Sequence, residues 1–223
     1  MRISTIFAAP AHYEGVSVTD AKRQLRIHET DTTFDVEIGR LITSGTQWVE
    51  RRLGISIITQ TRLQVQDRFY PVHYRHREYR RSRFAIDLPF APIQSVTEVK
   101  YIDTNGVLQT LTQGTDYYTA GIMTPTAGAQ DIARGRVLPV NSWPATKYVD
   151  EAVKIKYVCG YGDDATFVPE PIKDVILRYV SFFFEERKDE TTGPGVTIAK
   201  FEMNIERLMS TYERYTHVDV DEW

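Results

Sequence analysis

The chain has 223 residues, 42% hydrophobic and 26% charged, with a net charge of −3; this is the balance of a globular protein with a substantial core, and it excludes disorder over most of the length. The longest apolar run, Tyr179 to Phe184, is interrupted by Ser181 and falls far short of the roughly 20 residues a membrane-spanning helix needs. The single cysteine, Cys159, excludes an internal disulfide and any cysteine-built zinc site.

Residues 1–16 carry no periodic pattern and read as an N-terminal arm. Met1 to Phe7 lack the apolar stretch of a signal peptide, so cytoplasmic synthesis is expected. Ser17-Val18-Thr19-Asp20 has the spacing of a capping box, and Val18, Ala21 and Leu25 follow at helical spacing. Asp31, Thr32 and Thr33 are N-cap candidates for a second, longer helix. Its apolar positions Phe34, Ile38, Leu41, Ile42, Trp48, Val49 and Leu53 keep to one face. Acids Asp35 and Glu37 near its start and Arg51 and Arg52 at its end suit the helix dipole, and Gly54 is a natural terminator.

The period then changes from 3.6 to 2. Thr59, Thr61, Leu63 and Val65 alternate with Gln60, Arg62, Gln64 and Gln66, which predicts a half-buried strand with the first set inward. Strand-like composition returns at Phe84 to Leu88 and at Val96 to Ile102. Asp103-Thr104-Asn105-Gly106 supplies hairpin chemistry before a return strand at Val107 to Leu111. Shorter candidates are Tyr117 to Ala120 and Arg136 to Leu138. Val153, Ile155, Tyr157 and Cys159 alternate with Lys154 and Lys156 in the last strand, placing Cys159 inside as a structural thiol.

Pro169-Glu170-Pro171 opens a third helix whose apolar face carries Ile172, Val175, Ile176, Tyr179, Val180 and Phe183. Phe182 and Phe184 widen that face beyond the needs of a small core, and Trp48 and Phe183 are expected to be buried. A charged Gly/Pro linker, residues 188–196, precedes a last helix with Phe201, Ile205, Leu208, Met209 and Tyr212 on one stripe, and an acidic end that closes on Trp223. The fold class is α+β: an N-terminal helix pair, a small antiparallel β region at about 56–159 inserted in a main domain of residues 17–187, and C-terminal helices with an extended arm.

Chemistry is sparse. Gly160-Tyr161-Gly162 lacks the third glycine of a dinucleotide fingerprint. His73 and His76 lie among arginines that repel a dication. No nucleophile elbow, zincin motif or P-loop occurs. No catalytic residue, metal site or cofactor is therefore expected. The unusual feature is His73 to Arg83, where Arg75, Arg77, Arg80, Arg81 and Arg83 against Glu78 give a local charge of +4. Basic residues interleaved with aromatics suit phosphate contacts with stacking; a loop that meets acidic patches on a protein partner, or a plain solvated loop, are the alternatives.

Several ordered strings resemble the head–tail connector (adaptor) proteins of tailed bacteriophages. They are Thr19-Asp20-Ala21-Lys22 with Leu25; Trp48-Val49-Glu50 with Leu53-Gly54; Leu88-Pro89 with Pro92; Ser95-Val96-Thr97 with Val99; Tyr101 and Asp103 with Gly106; Ser142-Trp143-Pro144-Ala145; and Tyr157 to Asp163 followed by Val168-Pro169 and Pro171-Ile172-Lys173. The matches run from about residue 17 to 187. The resemblance implies a non-enzymatic structural subunit in the neck of a virion, made in the bacterial host cytoplasm. Its implied partners are itself, as a cyclic homo-oligomer of about twelve copies, the portal protein, a stopper or tail-completion protein, and packaged DNA passing through the ring, with no membrane. The stripe from Phe201 to Tyr212 and Trp223 is expected to be a portal-docking arm, and the five arginines a DNA or partner contact. A head-completion stopper or tail-terminator protein, or a non-specific DNA-binding protein using residues 73–83, are the rival readings.

Overall fold

The computed structural model of the chain describes residues 4–9, 15–69, 84–127 and 134–186, with side chains for all but 4–9 and 186. Three helices and eight strands are present in these residues: β1 (Ser4–Ala9), α1 (Val18–Gln24), α2 (Asp35–Leu53), β2 (Gln60–Gln66), β3 (Ile86–Asp87), β4 (Ile93–Ile102), β5 (Leu108–Leu111), β6 (Tyr117–Ala120), β7 (Arg136–Pro139), β8 (Val153–Cys159) and α3 (Glu170–Glu186). The fold is α+β. The strands fall in one compact unit and the helices in another; among the points where the chain passes between them are Ile58/Thr59, Pro125/Thr126 and Gly160/Tyr161.

In the strand unit all sheet pairings are antiparallel. A five-stranded sheet has the order β1-β2-β8-β4-β5 and a three-stranded sheet the order β3-β7-β6. The two meet over Ile86, Leu88, Tyr117 and Val137 on one side and Ile93, Val96, Val99, Val153, Ile155, Tyr157 and Cys159 on the other. Asp103 closes the β4–β5 turn by accepting from the amides of Asn105 and Val107 and from Gln109 Nε2. Gln94 Nε2 donates to Thr59 Oγ1 at 2.8 Å and to the Gly160 carbonyl at 2.9 Å, tying together two of the places where the chain joins this unit.

Strand β2 has its faces reversed from the sequence expectation. Gln60, Arg62, Gln64 and Gln66 are the buried side, with Arg62 only 1% exposed, while Thr61 and Leu63 are half-buried; Val65, on the side of Thr61 and Leu63, is buried as expected. Antiparallel pairing puts Gln60, Arg62 and Gln64 beside Cys159, Tyr157 and Ile155 on β8, whose inward set is apolar. The polar heads are accommodated inside: the Arg62 guanidinium lies 3.6 Å above the Phe90 ring, and Gln64 Nε2 donates to the Asp87 carbonyl. Residues Ser4–Ala9, within the stretch read as an arm, form the edge strand β1 against β2.

In the helical unit, Ser17 caps α1 as the spacing predicts: its Oγ accepts from the Asp20 amide and donates to Asp20 Oδ2 at 2.6 Å. Lys22 is buried, its Nζ 2.5 Å from Asp35 Oδ1 and donating to the Glu29 carbonyl. Helix α2 departs from expectation at its start, because Asp31, Thr32 and Thr33 do not cap it. The Asp31 carboxylate accepts from the Thr33 amide in a local turn instead, and Phe34 takes the N-cap position with no side-chain hydrogen bond. Gly54 ends α2 in the left-handed conformation at φ +61°, as a glycine allows. Ile38, Ile42, Val49 and Leu53 on α2 are buried, as are Ile172, Val175, Ile176 and Val180 on α3. Gly45 lets α3 approach, with Tyr179 of α3 directly over its Cα.

Candidate assembly surfaces

The first surface lies on α2 and α3. Tyr179 tilts against Trp48 at 5.9 Å and against Phe183 at 4.5 Å; Phe182 meets Phe183 edge to face at 5.1 Å; Phe184 meets Phe34 edge to face at 5.5 Å. The rings cover one another yet stay only half-buried. Trp48 and Phe183, both expected inside, are part of this half-covered face, because the core beneath is already filled by Ile38, Ile42, Val49, Ile176 and Val180. Phe34 is 38% exposed and Val36, in the first turn of α2, is 91% exposed.

The second surface is the outer face of the five-stranded sheet. Lys156 pairs across the strands with Leu63 and Glu98, and Lys154 with Val65 and Lys100. Lys100 binds Glu98 at 2.8 Å. All three lysines are half-buried, so their stems lie along the sheet while their ammonium groups reach water.

Third, the β4–β5 turn presents Val107 and Leu108 to solvent, and the adjoining stretch presents Val149 and Tyr148, the latter 92% exposed. A bridge from Asp103 to Thr146 and a bond from the Lys147 amide to the Ile102 carbonyl hold the two segments side by side. Gln109 first, then the Val107 amide, hold the Asp103 carboxyl below the usual carboxylate range, which keeps this turn closed at neutral pH.

The predicted contact residues Arg75, Arg77, Arg80, Arg81 and Arg83, and the arm residues Phe201, Ile205, Leu208, Met209, Tyr212 and Trp223, lie outside the described residues. The two flanks of the arginine segment are described, however, and they converge on one side chain. Phe69 stacks flat on Trp143 at 4.5 Å with an interplanar angle of 1°, and Trp143 Nε1 donates to the Phe84 carbonyl at 2.7 Å. Trp143 thus pins both ends of the basic segment to the strand unit. Its sequence signal, a tryptophan in Ser142-Trp143-Pro144-Ala145, carried no such role.

Among the described residues no group of three His, Cys, Asp or Glu side chains has the arrangement to hold a metal. Cys159 is buried, its thiol 3.6 Å from the Gln60 carbonyl. Asp31 and Asp164 have lowered pKa values because Thr33 and Thr166, respectively, donate to them within tight turns; each is exposed and has the role of a turn carboxylate. No described helix is long and apolar enough to cross a membrane.

No family model and no curated protein matches this chain. Solved structures do. A chain in the neck of an empty gene transfer agent (GTA) particle, computed with C6 symmetry, is 17% identical and superposes with a TM-score of 0.65 over 99% of this chain and 97% of its own length. Chains in the virion of a native GTA particle (16% identity, TM-score 0.63) and in the neck of a native GTA particle computed with C12 symmetry (17%, 0.55) match over the same shares of both chains. At these identities the likeness is one of fold, and it extends over nearly the whole of each chain: this protein has the α+β fold of a protein from the neck of a gene transfer agent particle.

Proposed function

We propose that the chain is a structural head–tail connector (adaptor) subunit of a tailed phage or phage-like particle. It forms a ring below the portal, around the DNA channel, and docks the tail or a stopper protein. The observation that carries this reading is the near end-to-end likeness to chains of neck assemblies, two of them computed with C6 and C12 symmetry. A ring of about twelve copies needs two different, complementary surfaces on each subunit, and the aromatic face of α2 and α3 and the lysine face of the sheet supply two of unlike character. The role is non-catalytic, the location the virion neck, and no cofactor takes part. Phe201, Ile205, Leu208, Met209, Tyr212 and Trp223 form the portal-docking arm. Arg75, Arg77, Arg80, Arg81 and Arg83, held at the base by Trp143, face DNA phosphates or a protein neighbour.

Co-purification with the portal protein, followed by negative-stain imaging, tests this. Rings on the portal's tail-side face are expected. A chain that never associates with portal at any concentration refutes the reading, and one that adds only to a neck already carrying another ring is the stopper or tail terminator instead. Truncation after Thr192 should leave a folded body that no longer binds portal. Replacing the five arginines by Gln separates their two roles: lost DNA retention in particles places them on DNA, lost portal binding places them on protein.

A further inference from the structure

We infer that the open edge of β5 takes the acidic segment at residues 218–222 of a neighbouring copy as an added strand. The inference rests on the ring reading and names a contact that joins successive copies.

Strand β5 is the last in the order β1-β2-β8-β4-β5. Its hydrogen-bonding phase follows from its partner strand. The Ile102 amide donates to the Ala152 carbonyl and the Ile102 carbonyl accepts from the Lys147 amide, both on the side away from β5, while the Asp103 amide donates to the Val107 carbonyl. Ile102 and Leu108, which face one another, therefore exchange no bond, and bonded and unbonded pairs alternate along an antiparallel ladder. The amides and carbonyls of Leu108 and Thr110 thus point out of the sheet edge, and among the described residues none bonds to them. Leu108-Gln109-Thr110-Leu111 carries neither charge nor proline, the usual guards against edge pairing.

A strand added here alternates its side chains between two unlike surroundings. Residues opposite Gln109 and Leu111 meet an open cavity of about 210 Å³ whose lining includes Tyr101, Leu111, Val140 and Pro144. Asp116, also in that lining, already accepts from the Thr112 amide. Residues opposite Leu108 and Thr110 lie on the outer face, where Lys100 stands beside Thr110, and where Lys100, Lys154 and Lys156 outnumber Glu98 on β4 and β8. The fitting occupant is extended, apolar on one side and acidic on the other. Val218-Asp219-Val220-Asp221 has that alternation, with its valines for the cavity and its aspartates for the lysine side. Main-chain bonds hold such a strand, and the alternate side chains select it. An edge of one copy filled by a segment of the next is a head-to-tail contact, the kind a ring propagates.

Disulfide trapping in the full chain tests this, because the native Cys159 is buried. Chains carrying Thr110→Cys are mixed with chains carrying Asp219→Cys, Val220→Cys or Asp221→Cys, with portal present, and oxidised. Cross-linked dimers are expected with Asp219→Cys or Asp221→Cys and not with Val220→Cys, whose side chain takes the other face. Thr110→Pro removes an amide that no described group uses, so its melting temperature should match the wild type. Its self-association, followed by sedimentation velocity, should weaken by roughly tenfold for the lost backbone bond. Equal trapping at all three positions overturns the strand geometry. Cross-links that form only within one chain carrying both cysteines overturn the exchange between copies. No trapping in any mixture, with rings still seen by negative stain for the wild type and for Thr110→Pro, overturns the added strand and leaves the ring standing. A wild type that forms no ring at any concentration, with or without portal, overturns the ring reading itself.

Discussion

The contact between α2 and α3 supports the aromatic face, and a pair of alanine substitutions measures how closely the helices pack. Gly39 and Gly45 lie six residues apart in α2 and differ in what a Cβ would meet. At Gly39 nothing lies within 4 Å, so Gly39→Ala gains helix propensity alone and should stabilise by about 0.5–1 kcal/mol. At Gly45 the same gain meets a collision, with Tyr179 Cδ1 at 2.9 Å, Cγ at 3.2 Å and Cβ at 3.5 Å. Carbon atoms rest at about 3.5–4.0 Å, so the closest pair is short by roughly 0.6–1.1 Å. The atoms struck are near the root of the tyrosine, and the ring beyond them is held between Trp48 and Phe183; it cannot swing aside. Overpacking of this kind costs about 1–3 kcal/mol, leaving Gly45→Ala between neutral and about 2.5 kcal/mol destabilised. The difference between the two variants isolates the steric cost, since propensity cancels. Urea unfolding followed by far-UV circular dichroism reads it. Two midpoints that shift together, with stability agreeing within about 0.5 kcal/mol, would refute close packing of α3 on α2 at this level.

Other perturbations follow from single contacts. Gly121→Ala places a Cβ against the Arg134 carbonyl at φ +68° and should destabilise by about 3 kcal/mol, whereas Gly114→Ala, at φ +87° with open space around it, should cost about 1–2 kcal/mol; urea midpoints rank them. Trp48→Ala should cost about 2–3 kcal/mol in the same assay, below the range for fully buried tryptophan, because the side chain is already partly exposed. The Asp103 carboxyl is depressed in the folded turn, so its contribution is complete above the ordinary value of 3.8 and is lost as pH falls through the folded value. The amide signals of Asn105 and Val107 in an NMR titration should therefore move only below that ordinary value. Movement at or above it would contradict the bonding described, and Asp103→Asn should abolish the titration.

What was readable in the sequence was local. The Ser17–Asp20 box and Gly54 act within one helical turn, so residue type and spacing sufficed for them. The alternation in β2 was equally plain, yet it says which side chains share a face and not which face is inside. That choice was made by the neighbouring strand, whose inward Tyr157 and Ile155 fix the side on which Gln60, Arg62 and Gln64 must lie, and by Phe90, which gives Arg62 a lid. Lys22 and Asp35 belong to different helices, and nothing in either local pattern marks them as a pair. Phe182 and Phe184 did carry a legible excess, more aromatic area than one core needs, and it emerges as the half-covered face. The pinning of the arginine segment required contacts between positions 69, 84 and 143, a separation that no short motif spans.

The Gln94 bonds to Thr59 and Gly160 have a consequence for how this fold diversifies. The chain leaves the helical unit and returns to it through two adjacent strands, Gln60 facing Cys159, clasped by one amide side chain. The strands from β2 to β8 that lie in the strand unit thus share one closed base. Such a base is held within the strand unit itself, so strands and turns beyond it can lengthen, shrink or be exchanged by recombination while Gln60 and Cys159 keep their pairing.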